Sequence, residues 1–156
     1  MQVQIVAVGN KMPHWVVEGC NEYLRRFPSD FQVKLTEIAP LKRTKSSNLN
    51  KIKIDEGYKC LQAIEPSNKV IALEVKGNAW TTAKLAQQIE NWKMDGRNIS
   101  LLIGGPEGLS DACREKAELH WSLSPLTLPH PMVRVIVSEA LYRAWSLTQN
   151  HPYHRE

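Results

Sequence analysis

The last seven residues, Asn150-His151-Pro152-Tyr153-His154-Arg155-Glu156, bring two imidazoles, a phenol and a guanidinium together. Histidine titrates near neutral pH, tyrosine can stack on a base or hydrogen-bond to it, and arginine can bind phosphate or orient a uracil carbonyl. A chain end also frays by default and tolerates change. On the residues alone, the plain terminus outweighs a functional tail. His151 and His154 lack a third ligand and make no metal site.

A second candidate is the stretch Leu101-Leu102-Ile103-Gly104-Gly105-Pro106-Glu107-Gly108-Leu109, an apolar run followed by a glycine-rich corner. Such corners often cradle phosphate on backbone N–H groups. This one has neither the Lys-Ser/Thr of the Walker loop nor the spacing of the dinucleotide fingerprint, and it sets Glu107 where a phosphate would be repelled. A phosphate-free ligand is expected. Glu74-Val75-Lys76-Gly77 and Ser122-Leu123-Ser124-Pro125-Leu126-Thr127-Leu128 share its chemistry: backbone groups beside apolar surface, suited to a flat heterocycle such as adenine. Each alone is weak, since Gly-Gly-Pro is more often a plain turn.

Several ionisable residues have two readings. His130, between Pro129 and Pro131, either shapes the ligand loop or packs. Arg134, one turn later, faces substrate or solvent, and Glu107 either meets a positive ligand or caps the following helix. His14 and His120 read as surface or satisfied polar sites.

The elements that must position these groups follow from periodicity. Gln2–Val8 alternates as a strand, and apolar residues recur at helical spacing from Pro13 to Phe27. Residues 31–39 alternate again, and a second helix runs from about Ile52 to Ile64. Lys69–Val75 is a buried-type strand before a turn at Gly77-Asn78. Thr81 or Thr82 caps a helix ending before Gly96. Asn98–Ile103 is the fourth strand, a helix spans about Ser110–Leu119, and Trp121–Ser124 is a brief fifth strand. The longest helical pattern runs from Pro129 to about Gln149, with a Glu139/Arg143 pair at i,i+4. Its broad apolar stripe is read as covered by the sheet on one side and a partner subunit on the other, a single thick core being the alternative. Alternation of strands and helices predicts one α/β domain with a mainly parallel sheet, and ligands in such sheets lie beyond the carboxyl ends of the strands.

The 156 residues carry a net charge of +4, with ten Lys/Arg against six Asp/Glu in residues 1–60 and ten against ten in the rest. Leu41–Lys53 holds Lys42, Arg43, Lys45, Lys51 and Lys53 with no acid, either a solvated loop or a polyanion contact. Cys20, Cys60 and Cys113 are odd in number and form no C-x-x-C pair, so each is expected to pack as a small hydrophobe in a reducing compartment. No membrane-length apolar run or secretory leader is present, which fits the cytoplasm.

The segments LLIGGPEGLS, SLSPLTLPHPMVRV and NHPYHRE, with the opening VQIVAVGNKMP and the middle WKMDGRNIS, closely resemble the ribosomal RNA large subunit methyltransferase H family. It belongs to the SPOUT superfamily of S-adenosylmethionine-dependent RNA methyltransferases, and the likeness runs along the whole chain. The resemblance implies a single domain over residues 1–156 with a deep trefoil knot at about residues 100–150. It implies that Leu73, Gly104 and the run Leu123, Ser124, Pro125, Leu126, Thr127 and Leu128 contact S-adenosylmethionine. It also implies methylation of N3 of a pseudouridine in the helix 69 loop of 23S ribosomal RNA, on the assembled ribosome, by a homodimer that needs no metal and no membrane. Tyr153 and Arg155 are then expected to hold the pseudouridine while His154, with His151 as the lesser candidate, handles the N3 proton; the basic loop grips the RNA backbone. A ribosome-binding or assembly factor of the same fold without catalysis is the alternative. A nucleotide-dependent oxidoreductase is disfavoured by the missing fingerprint.

Overall fold

The computed structural model describes residues 1–154, so Arg155 and Glu156 lie outside the described residues. Five strands, β1 (Gln2–Val8), β2 (Gln32–Ile38), β3 (Lys69–Ala79), β4 (Ile99–Ile103) and β5 (Leu119–Ser122), form one sheet in the order β2-β1-β4-β3-β5. Every pairing is parallel, with Gln2 beside Gln32, Val3 beside Ile99 and Ile71 beside Leu119. The helices are α1 (His14–Leu24), α2 (Leu49–Ala63), α3 (Thr82–Asp95), α4 (Asp111–Lys116) and α5 (His130–Thr148), and a 3-10 turn at Pro152–His154 follows α5.

Successive strand side chains point to opposite faces. Val3, Ile5, Ala7, Ile71 and Leu101 meet α3 and α5 on one face, whereas Val6, Val70, Ala72 and Leu102 meet Cys60 of α2 and Cys113 of α4 on the other. A strand covered on both faces must be apolar throughout, and all five residues of β4 are buried. Side-chain oxygens of Asn48, Thr81 and Ser110 accept from the third residue onward at the starts of α2, α3 and α4. Gly96 ends α3 in the left-handed region at φ 81°.

Three expectations change. Gly77-Asn78 is not a turn: β3 continues to Ala79, its pairing to β5 slipping between Leu73 and Asn78. A Cβ on Gly77 would stand 2.8 Å from the carbonyl carbons of His120 and Trp121, so glycine here allows two strands to approach. The fourth helix stops at Lys116, because Glu118 N–H donates to Val70 O at 2.8 Å and draws the chain into β5 two residues earlier than expected. The stripe of α5 is filled within one chain. Val137, Leu141 and Ala144 are buried, Val133, Ala140 and Trp145 pack on the same core, and Gly19 of α1 lets Val135 close to 3.2 Å of its Cβ position. The stripe is thus a thick core and supplies no argument for a partner subunit.

All three cysteines are free and buried, as expected of small hydrophobes. Cys60 and Cys113, distant in sequence, share one small core, and the adjacent Cys113 together with burial pushes the Cys60 thiol up.

Candidate functional site

The carboxyl ends of β3, β4 and β5 open on a cavity of about 220 Å³. Leu73, Glu74 and Val75 of β3 form one wall, and Gly104, Gly105, Pro106 and Gly108 after β4 form the second. Leu123, Ser124, Leu126, Thr127 and Leu128 form the third, and His130 and Val133 of α5 close it. Of the expected ligand contacts, Pro125 alone is not in the wall. Ser124 shapes the third loop internally: its Oγ accepts from Leu126 N–H at 3.0 Å, and its carbonyl accepts from Ser122 Oγ at 3.1 Å.

The glycine corner is compact because its residues lack side chains. A Cβ on Gly104 would sit 2.4 Å from the carbonyl carbon of Gly108, so the two backbones touch where any other residue would hold them apart. Gly108, at φ 83°, returns the chain and donates to Gly105 O at 2.9 Å.

Glu107 neither caps a helix nor faces the cavity. Its carboxylate accepts two bonds from Arg43, at 2.8 and 2.7 Å, and Arg43 also donates to both oxygens of Glu56 and to Leu41 O. Arg43 therefore turns inward rather than joining the exposed Lys42 and Lys45 of the basic segment. The sequence does carry a sign of this. Glu56 lies at helical spacing between the buried Ile52 and Cys60, and a carboxylate on a buried stripe needs a cation.

Arg134 does not face solvent. It is 2 % exposed, donates to Gly9 O at 2.7 Å and Val8 O at 3.3 Å, and pairs with Glu37 at 2.7 Å. One turn before it, His130 has an enclosed Nδ1 with no hydrogen-bond partner among the described residues. Burial, then Arg134 and Arg43, hold its imidazole below the ordinary value, so it is neutral at neutral pH. His14 pairs with Glu18 at 3.0 Å and His120 with Glu74 at 3.2 Å, both satisfied polar sites.

The tail folds back along the second half of α5. Tyr153 Oη donates to Glu139 at 3.0 Å, its ring lies 4.8 Å from Tyr142 and 6.4 Å from Tyr23, and Arg26 and Arg143 stand over it. Burial first, then Tyr23 and Glu139, push the Tyr153 phenol up, which keeps it neutral. His154 Nδ1 lies 3.4 Å from Ser146 Oγ, and His151 Nδ1 accepts from Tyr153 N–H at 3.2 Å. At 1.5 Å per helical residue, Glu139 beside Tyr153 lies about 14 Å along α5 from His130, and Ser146 beside His154 about 24 Å. One chain brings the three loops together, and none of its described tail residues lines the cavity.

Residues 1–154 match the model of the family described as predicted SPOUT methyltransferase. The chain belongs to the SPOUT methyltransferase family. Solved structures share its fold. A probable methylase family protein from Haemophilus influenzae Rd KW20 superposes with TM-score 0.57 at 13% identity, covering 99% of this chain and 70% of that one. A putative methylase family protein from Neisseria gonorrhoeae superposes with TM-score 0.56 at 13% identity, covering 90% of this chain and 81% of that one.

SPOUT methyltransferases use S-adenosylmethionine. The cavity suits such a ligand: its walls are apolar side chains and backbone, its ionisable members are Glu74 and a neutral His130, and among the described residues no lysine or arginine lines it to repel a sulfonium. Among the described residues no helix is long and apolar enough to cross a membrane, and no group of three or more His, Cys, Asp or Glu is placed to hold a metal ion.

Proposed function

We propose that this chain methylates N3 of a pseudouridine in the helix 69 loop of 23S ribosomal RNA, on the assembled ribosome in the cytoplasm. The observation that carries the reading is the pairing of a phosphate-free cavity at Gly104 with a tail rich in base-handling groups, in a chain of the SPOUT family. Its motifs resemble the 23S pseudouridine N3-methyltransferases from the first strand to the last residue, and with that likeness comes the C-terminal knot. Leu73, Gly104 and the segment from Leu123 to Leu128 would hold S-adenosylmethionine, their backbone groups and apolar side chains suiting its adenosine part.

When bound, S-adenosylmethionine supplies a methyl group on positively charged sulfur. The protein's part is alignment: N3, methyl carbon and sulfur must lie in line, so that the N3–C bond forms as the C–S bond breaks and the electron pair stays on sulfur. N3 also carries a proton that must leave to a base. Tyr153, His154 and Arg155 are the tail residues that meet the base, Arg155 lying outside the described residues. None of the described tail residues lines the cavity of its own chain, and the reading takes the protein as a homodimer in which the tail of one copy completes the cavity of the other. Lys42 and Lys45 are exposed on the basic segment and contact the RNA backbone there.

The deciding experiment incubates the purified protein with methyl-labelled S-adenosylmethionine and ribosomes lacking the modification, then maps labelled nucleotides by mass spectrometry. Label on N3 of a helix 69 pseudouridine is the expected result. Cofactor binding without label on any ribosomal RNA would leave a non-catalytic ribosome-binding protein, and failure of both would sink the reading.

A further inference from the structure

A second cavity, about 490 Å³, opens beside the first. Gly9, Asn10, Lys11 and Met12 after β1 form one side, and Pro40 and Arg43 after β2 form another. Pro106 and His130 belong to both cavities, so one proline ring and one imidazole stand between them. The cationic lining has a division of labour. Arg43 is occupied by Glu56, Glu107 and Leu41 O, whereas Lys11 has no ion pair among the described residues and remains open to a phosphate.

His130 is held firmly in that wall. Arg134, one turn along α5, is anchored on the carbonyls of Val8 and Gly9, and Gly9 backs the ring, its Cβ position lying 3.6 Å from His130 Cε1. Yet Nδ1 is enclosed and unpartnered. An enclosed nitrogen cannot meet a base in the cavity, so the nitrogen left to accept is Nε2, which is not among the enclosed unpartnered atoms.

We propose that the target base enters this second cavity and that His130 accepts the proton from its N3 as the methyl arrives from the first. The inference rests on the methyltransferase reading above and adds to it the place of the base and the acceptor. The step balances: the N3–C bond forms, the C–S bond breaks with its electrons kept by sulfur, and the N3–H electrons remain on nitrogen while the proton moves to the imidazole. As the N–C bond forms, N3–H becomes strongly acidic, so even a weakly basic imidazole suffices provided that it starts unprotonated. The surroundings provide for that. Arg134 on α5 and Arg43 after β2 disfavour the charged ring, Glu107 after β4 and Glu56 on α2 partly offset them, and burial adds the largest push. Lys11 and Glu74 complete the charged groups around the two cavities. His154, by contrast, lies against Ser146 at the far end of α5, and its reach to N3 depends on how a second copy docks.

The test is kcat against pH for wild type, His130→Gln, His130→Asn and His154→Gln on ribosomes lacking the modification, with cofactor affinity by calorimetry and a melting curve for each. Wild-type kcat should fall on the acid side with a midpoint below the ordinary imidazole value of 6.5. Both His130 variants should lose about 10²- to 10⁴-fold in kcat and lose the acid limb, while still binding cofactor and melting as wild type does. His154→Gln should keep the limb. A His130 variant with wild-type kcat, a limb that survives in both of them, or a limb that vanishes in His154→Gln overturns the proposal. Imidazole ¹⁵N NMR of His130 in unsubstituted protein with S-adenosylhomocysteine supplies a check that does not depend on folding of the variants: its midpoint must coincide with the kcat limb, and a separate midpoint also overturns it. If wild type neither binds cofactor nor labels RNA, the methyltransferase reading fails and this one with it. Normal labelling by the His130 variants removes only the His130 assignment.

Discussion

Arg43 and Glu107 are joined by two parallel bonds, Nε to Oε1 at 2.8 Å and Nη2 to Oε2 at 2.7 Å, across 64 positions of sequence. The same guanidinium holds Glu56, whose side chain is 4% exposed, so one residue ties the glycine corner to α2. Arg43→Ala leaves a buried carboxylate without a cation and should cost about 3 kcal/mol in urea unfolding. Arg43→Lys should recover little of this, because an ammonium cannot make the fork. Cofactor affinity should fall in both, the corner having lost its tether.

Acid should loosen the same tether. Arg43 bonding holds the Glu107 carboxyl below its ordinary value of 4.5. A lowered carboxyl stabilises the fold fully above its unfolded value and loses that contribution as pH falls through the folded one. Stability should therefore drop below about pH 4.5, and Glu107→Gln should be less stable at neutral pH while showing a shallower acid decline. An equally steep decline in the variant would remove Glu107 as its source.

Gly104 and Gly96 make a matched pair. At Gly104 a Cβ meets backbone at 2.4 Å, whereas at Gly96 nothing lies within 4 Å and only the positive φ is strained. Gly96→Ala should cost about 1 kcal/mol and leave cofactor affinity intact. Gly104→Ala should lower cofactor affinity at least about 100-fold, since neither backbone can yield without opening the corner. Calorimetric titration with S-adenosylmethionine separates the two.

The absence of the described tail residues from the cavity wall of their own chain, together with the dimer reading, predicts complementation. A Gly104→Ala chain has a broken cavity and an intact tail, and a Tyr153→Ala chain has the reverse. Refolded together, the two inactive proteins should recover about a quarter of wild-type methylation, the fraction of sites formed from two intact halves in random twofold dimers. No recovery over either parent alone would place cavity and tail in the same chain.

Periodicity found the five strands and the five α-helices, and the glycine corner expected to meet a ligand does line a cavity. What escaped was pairing between remote residues. Arg43 read as one more base in a polar run and Arg134 as a cation on a helix, yet each is buried against groups that only the sheet order brings near. Gly77-Asn78 carries strong turn chemistry, but β5 draws β3 onward and the pair adopts extended backbone. His130 could be placed at the start of a helix. That it stands between two cavities, with one nitrogen orphaned, depends on the turn after β1 and the corner after β4 arriving beside it.

The strand order also sets when this molecule comes into being during translation. β1 and β2 leave the ribosome first and can pair, but the inner neighbour of β1 is β4, whose first residue follows Gln2 by almost a hundred positions. β3 lies beyond β4, β5 beyond β3, and α5, which covers one face, follows all five strands in the chain. Until then the nascent chain exposes an apolar sheet edge that later strands must fill, the circumstance in which slow acquisition of structure and recruitment of chaperones are expected.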